Sequence, residues 1–167
     1  TLLESLPSNG MAILDKDGMY YNRLREASPD HVITISAKEP ADYRIHRFNG
    51  KTGAKIDDEK TGGSYYFDLE IPSDFHAINL MFAVATARTY GMVWEEILAS
   101  LRSCPALDLR WQIEVHNGVY IVNDAYNANP LSMHAALCAF SELTSSGRKW
   151  LVFGGMSELG DSTECEH

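Results

Sequence analysis

Residues 119–137 read "VYIVNDAYNANPLSMHAAL": an apolar run, then an acid, three amides and a tyrosine, then a second apolar run. The β-branched and aromatic Val119–Val122 segment suits a strand. Asn129 is a preferred N-cap residue and Pro130 fits the first helical position, so a helix starts there. A strand tip running into a helix start is the edge of an α/β sheet at which ligands sit. Two readings of the polar cluster follow. The Asp124 carboxylate can accept hydrogen bonds from two ribose hydroxyls, with neighbouring amides reading polar edges and the helix N-terminus favouring negative charge. Alternatively Asp124 and Asn127 close the turn through their own backbone, the commonest work of Asp and Asn in loops. Three amides and an acid exceed what one cap uses.

Working outward, "RWQIEVHNGVYIVND" predicts a hairpin whose turn is Asn117-Gly118, a pair that adopts left-handed backbone readily. Downstream, "RKWLVFGG" (148–155) predicts a further buried strand, and "SELGDSTECEH" an acid-rich helix start. Upstream the composition shifts between Cys104 and Leu109. That places a domain boundary there and divides the chain into 1–107 and 108–167.

The first part opens with "TLLESLPSNG", a helix tail stopped by Pro7 and Gly10. "MAIL" (11–14) and "VITIS" (32–36), with the short helix "YYNRLREAS" between them, predict a strand–helix–strand unit in a buried parallel sheet. "YRIHRF" (43–48) and "SYYFDLEI" (64–71) alternate with period two and predict an antiparallel pair with one wet face. Tyr65, Phe67, Leu69 and Ile71 fall on one side of the second strand, and Tyr66, Asp68 and Glu70 on the other. "SDFHAINLMFAVATARTYG" is apolar nearly all round and predicts a buried helix capped by Ser73 or Asp74 and stopped at Gly91. "VWEEILASLRS" predicts an amphipathic helix ending before Pro105. The fold class is therefore α/β: a parallel sheet with helices and a small antiparallel section, followed by the start of a Rossmann-like domain.

The chain has 167 residues and an apolar fraction of 45%, enough for one full domain or two partial ones. A formal net charge of −9 disfavours nucleic acid or an anionic membrane surface as main partner. The longest nearly apolar run, "AINLMFAVATA" (77–87), falls short of the roughly 20 residues a membrane span uses. Cys104, Cys138 and Cys165 are widely spaced, which suggests neither a zinc knuckle nor a disulfide framework and points to a reducing, cytosolic setting.

"FNGKTG" (48–53) imitates a phosphate-binding loop, but that pattern needs a glycine where Ile45 stands and a strand running into a helix. It is predicted to be an exposed hairpin loop. His76 and Asn79 share one face of the apolar helix, where a polar pair needs hydrogen-bond partners from the core or from a ligand. Arg110 suits a phosphate or a surface carboxylate. The remaining histidines, His31, His46, His116 and His134, show no ligand spacing, and no metal site is assigned to any residue.

"NDAYNANPLSMHAAL" is similar to the pattern D-D-S-Y-N-A-N-P-x-S-M, followed by an alanine-rich helix, of the Mur ligases. "FGGMSELGDSTECEH" resembles their L-G-D-M-x-E-L-G segment, and His76, Asn79 and Arg110 match an H-x-x-N helix followed by a lone arginine at a domain junction. The resemblance runs the length of the chain. Three positions depart from it: Asn123 and Ala125 stand where the family has Asp and Ser, and Gly155 where it has Asp.

The resemblance implies an ATP-dependent amide ligase of peptidoglycan precursor synthesis, working in the cytoplasm. "YNANP" with "GxMxELG" favours the branch that joins D-alanyl-D-alanine to UDP-N-acetylmuramoyl-tripeptide through an acyl phosphate. It implies that Asp124 binds the ribose, that Asn127 and His76 or Asn79 lie by the adenine, and that Arg110 approaches the phosphates. It further implies that Met156, Glu158 and Leu159 face the incoming dipeptide. Magnesium is implied as well, with its ligand, the phosphate loop and the modified lysine expected upstream of this chain, and no catalytic residue is assigned within it. The chain is thus expected to be the back part of a central ATPase domain plus the first part of a C-terminal ligase domain, inactive by itself. Rivals are another Mur ligase, folate polyglutamate synthetase, or a non-catalytic α/β interaction module.

Overall fold

The computed structural model describes residues 2–48, 53–104 and 108–166. The chain divides into two compact units, Thr1–Cys104 and Pro105–His167.

In the first unit a five-stranded sheet has its strands in chain order: β1 (Ala12–Asp15), β2 (Val32–Ser36), β3 (Tyr43–Arg47), β4 (Ala54–Asp58) and β5 (Gly63–Phe67). β1 and β2 are parallel, joined through helix α1 (Tyr21–Glu26) as a parallel pair requires. β2 and β3 are parallel too, yet only residues 37–42 join them. The short link suffices because the ladder holds just Ile35↔Tyr43 and Ser36↔Arg44, so β3 continues where β2 stops. Side chains fasten this step. Asp42 Oδ2 accepts from Thr34 N and Oγ1, both at 2.7 Å, and Asp17 accepts from Ser36 Oγ at 2.6 Å and Ala37 N at 2.7 Å.

The antiparallel section is larger than the sequence suggested. β3 and the "SYYF" strand are not neighbours; β4 lies between them and pairs with both. Its sequence, "AKIDD", does alternate: Ala54, Ile56 and Asp58 are buried while Lys55 and Asp57 face the other side. A buried aspartate disguised the pattern. β5 stops at Phe67, so Asp68–Glu70 are not strand, although Leu69 and Ile71 still pack against the core. The proposed loop 48–53 joins β3 to β4, and its central residues 49–52 lie outside the described residues. At the N-terminus the expected helix tail is a single 3-10 turn, Leu3–Ser5.

Helix α2 (Asp74–Thr89) covers the sheet. Ser73 caps it, and the chain leaves it through Gly91, whose φ of 85° suits glycine. It is not buried all round. Ala77, Met81, Val84 and Ala85 face the sheet, whereas Asn79, Phe82 and Ala83 are exposed, because one sheet shields only one side of a helix. Helix α3 (Trp94–Ser103) follows, with Glu96 Oε2 accepting from Val93 N at 3.1 Å. Its Trp94 and Ile97 join Ile33, Ile35, Tyr43, Ile45, Ile56 and Met81 in one core.

On the opposite face of the sheet, Asp57 accepts hydrogen bonds from Ser64 Oγ at 2.6 Å, His46 Nε2 at 2.8 Å and Lys55 Nζ at 2.9 Å. Burial pushes its carboxyl upward, but the Ser64, Lys55 and His46 contacts outweigh that and hold it at about 2 against the usual 3.8. A depressed folded value contributes stability above pH 3.8, which is lost as the pH falls through 2. The linkage is worth about 2 kcal/mol. Urea unfolding of Asp57→Asn against the parent chain should therefore show a deficit at pH 5 that shrinks steadily towards pH 2. A pH-independent deficit would exclude this account.

The second unit holds a hairpin of β6 (Gln112–His116) and β7 (Val119–Asn123), then helix α4 (Pro130–Glu142), a 3-10 turn (Gly160–Ser162) and the short helix α5 (Thr163–Glu166). Asn117 and Gly118, with φ of 51° and 81°, make the expected turn. Lys149 Nζ donates to the Phe140 and Ser141 carbonyls at 3.1 and 2.7 Å, satisfying the end of α4. Residues 148–155 are not a strand, and Trp150, Leu151, Val152 and Phe153 are exposed. An apolar run becomes a strand only beside a paired neighbour, and none of the described residues supplies one. Among the described residues no helix is long and apolar enough to cross a membrane.

Candidate functional site

At the tip of β7 the chain meets the entry to β6, and this crossing organises the polar cluster. Asp124 Oδ1 accepts from Trp111 N at 3.1 Å, and Tyr126 N donates to the Leu109 carbonyl at 3.1 Å. Between those two bonds sits Arg110, its guanidinium carbon 4.1 Å from the Tyr126 ring centroid. Leu109 and Trp111 flank it with φ of 59° and 49°, a left-handed conformation that residues bearing a Cβ rarely adopt. Such backbone persists only where its surroundings enforce it.

One Asp124 carboxylate oxygen is engaged by a backbone N–H, that of Trp111 at the entry to β6 and not one of its own turn. The other accepts no hydrogen bond among the described residues, and the side chain is exposed. Asn127 is similar: its Oδ1 takes the Ala128 N–H at 2.9 Å, while its amide NH₂ has no acceptor among the described residues. Asn129 is the α4 cap. Its Oδ1 accepts from Ser132 N at 2.9 Å and its own N–H donates to Ser132 Oγ at 3.1 Å, a reciprocal box. Asn129→Ala should therefore lower the stability of the second unit by about 1 kcal/mol, read as faster amide exchange in the first turn of α4. Unchanged exchange would mean that the cap contributes nothing.

The structure brings Arg110, Asp124 and Asn127 together on one clasp. The chemistry available there is a planar cation of five fixed donors suited to phosphate oxygens, beside a carboxylate suited to vicinal hydroxyls. Tyr126 completes it. The sequence offered no means of finding that stack, because Arg110 and Tyr126 meet only through the crossing of 109–111 with 124–126.

His76 and Asn79 belong to the first unit. His76 lies in the first turn of α2, its Nδ1 2.8 Å from Ser73 Oγ and its ring edge-on to Phe75. Asn79, one turn on, is exposed, and its side chain makes no hydrogen bond among the described residues. Met156, Glu158 and Leu159 sit in an irregular segment. Met156 is buried at 7%, Leu159 is half-buried, and Glu158 is exposed with φ of 63°. A separate hollow in the first unit is lined by Asp57, Asp58, Glu59, Gly62, Gly63 and Ser64. Its Asp57 and Asp58 carboxylates are already engaged by the protein, so it offers no ready anchor for a cation.

The family description "Mur ligase, glutamate ligase domain" matches residues 109–167. A UDP-N-acetylmuramoyl-tripeptide–D-alanyl-D-alanine ligase of Mycobacterium bovis is 35% identical over 187 aligned residues, covering 99% of this chain and 34% of the relative. One of the same name from Bacillus subtilis is 36% identical, covering 60% of this chain and 22% of the relative. The chain thus spans about a third or less of the length of these relatives. Among solved structures, MurF from Acinetobacter baumannii superposes with a TM-score of 0.82 at 27% identity, covering 96% of this chain and 35% of that one. MurF from Thermotoga maritima, solved with ADP, gives 0.79 at 20% identity over 99% and 38%, a likeness of fold.

Proposed function

The chain belongs to the Mur ligase family, and on that premise we propose that it carries part of the machinery of an ATP-dependent amide ligase acting in the cytoplasm. The reaction would join D-alanyl-D-alanine to UDP-N-acetylmuramoyl-tripeptide in peptidoglycan precursor synthesis. The observation that carries the reading is the 35% identity, across 99% of this chain, to a ligase of that name. In such a reaction a carboxylate oxygen of the tripeptide attacks the γ-phosphorus and ADP leaves. The dipeptide amine then attacks the acyl carbon, phosphate leaves, and the amine loses a proton.

The residues of this chain would bind and orient rather than transfer protons. Asp124 would grip the ribose hydroxyls through its free oxygen, and the free NH₂ of Asn127 would donate to the adenine edge. Arg110 would approach the phosphates, where a fixed cation offsets charge gathered on the transferring group. Glu158 carries the charge suited to an incoming ammonium group, with Met156 and Leu159 shaping the segment around it. Magnesium is part of the family's chemistry. No residue here is assigned to it.

The test is saturation-transfer NMR on the chain with ATP, and with GTP as control. ATP should bind with half-saturation at or below about 1 mM, the upper end of ordinary substrate affinities, and more tightly than GTP. If neither nucleotide binds at that concentration, the reading is wrong.

A further inference from the structure

The nucleotide reading assigns Arg110 to the phosphates but leaves the residue touching it without a task. Resting on that reading, we infer that Tyr126 is a positioning residue: its ring face holds the Arg110 guanidinium on the clasp that also carries Asp124, so both charged groups meet a ligand as a preset pair.

Three observations support this. Arg110 is exposed and has no ion pair among the described residues, so the ring at 4.1 Å is the polar-group contact available to restrain a side chain with many rotamers. The left-handed backbone on either side of Arg110 is an unfavourable arrangement fastened at both ends to the 124–126 segment, through Leu109 O and Trp111 N. Tyr126 itself is 62% exposed, so apolar burial does not explain a large aromatic at this point. Its hydroxyl has no hydrogen-bond partner among the described residues. The ring face is therefore what matters, through the attraction between a cation and an aromatic quadrupole.

The experiment compares the parent chain with Tyr126→Phe, Tyr126→Leu and Arg110→Ala, reading the Arg110 side-chain protons by NMR and affinities for ATP and adenosine separately. In the parent chain the ring should shift the Arg110 δ-protons upfield. Tyr126→Phe should keep that shift and both affinities. Tyr126→Leu should abolish the shift and weaken ATP about three-fold, the factor an exposed cation–π contact is worth, while leaving adenosine unchanged. Adding Tyr126→Leu to Arg110→Ala should then weaken ATP no further.

Equal weakening of ATP and adenosine in Tyr126→Leu would mean general damage to the clasp and overturn the inference. So would unchanged ATP binding after loss of the shift, and in both cases the nucleotide reading would survive. A parent chain that binds neither ligand would remove that reading, and this inference with it.

Discussion

Trp94→Ala should destabilise the first unit by about 3–5 kcal/mol, the usual cost of truncating a buried aromatic. Trp94 is 4% exposed and stacks on Tyr65 with ring centroids 4.0 Å apart, meeting Tyr43 edge-on at 6.2 Å. The Arg88 guanidinium lies 5.3 Å from its ring. Its Nε1 donates at 3.0 Å to Asp58, a carboxylate that is only 1% exposed. Truncation would open a cavity and also strip a donor from a buried charge, which is then left with Lys60 N, Thr61 N and the Arg88 guanidinium at 4.0 Å. Trp94→Phe separates the two effects: it keeps an aromatic ring but loses the donor, at a cost of about 1–3 kcal/mol. Urea unfolding of the full chain, with amide exchange at Ile56 reporting on β4, gives both numbers. A loss below about 1 kcal/mol for Trp94→Ala would mean that this aromatic cluster is not where the unit's stability lies.

The same cluster shows why β4 escaped the sequence reading. Asp58 is a core residue there because Trp94, distant in sequence, supplies its donor. Patterning rules count an aspartate as a solvent position, and only the tertiary partner makes it an interior one. Residues 148–155 fail in the opposite direction. Their composition suits burial, yet a strand is a relation between two segments, and one segment's sequence does not contain the second. Local devices were legible. The Asn117-Gly118 turn, the Asn129–Pro130 helix start and the Ser73 cap depend on backbone conformations and hydrogen bonds completed within a few residues. At the candidate site the same division holds. Asp124 and Asn127 could be singled out because polar residues at a strand tip are conspicuous. The pairing of Arg110 with Tyr126, and the use of one Asp124 oxygen by Trp111 N, could not, since each depends on two segments meeting.

That shared carboxylate makes Asp124 the residue whose substitution should change nucleotide binding most. Losing charge-assisted hydrogen bonds to two ribose hydroxyls should weaken ATP at least about ten-fold. Asp124→Ala alone would be ambiguous, because it also releases Trp111 N and with it the strained backbone around Arg110. Asp124→Asn resolves this. An amide oxygen can still accept the Trp111 N–H, preserving the clasp, while the negative charge proposed to grip the sugar is gone. If the ribose is the partner, the parent chain should bind 2′-deoxy- and 3′-deoxy-ATP more weakly than ATP. Asp124→Asn should bind all three alike, since the group that distinguished them is missing. If the parent already treats the deoxy forms as equal to ATP, Asp124 is a turn residue and its free oxygen faces water. Should Asp124→Asn match the parent while Asp124→Ala fails, the clasp matters and the sugar contact does not, which would leave Arg110 as the group that recognises the nucleotide.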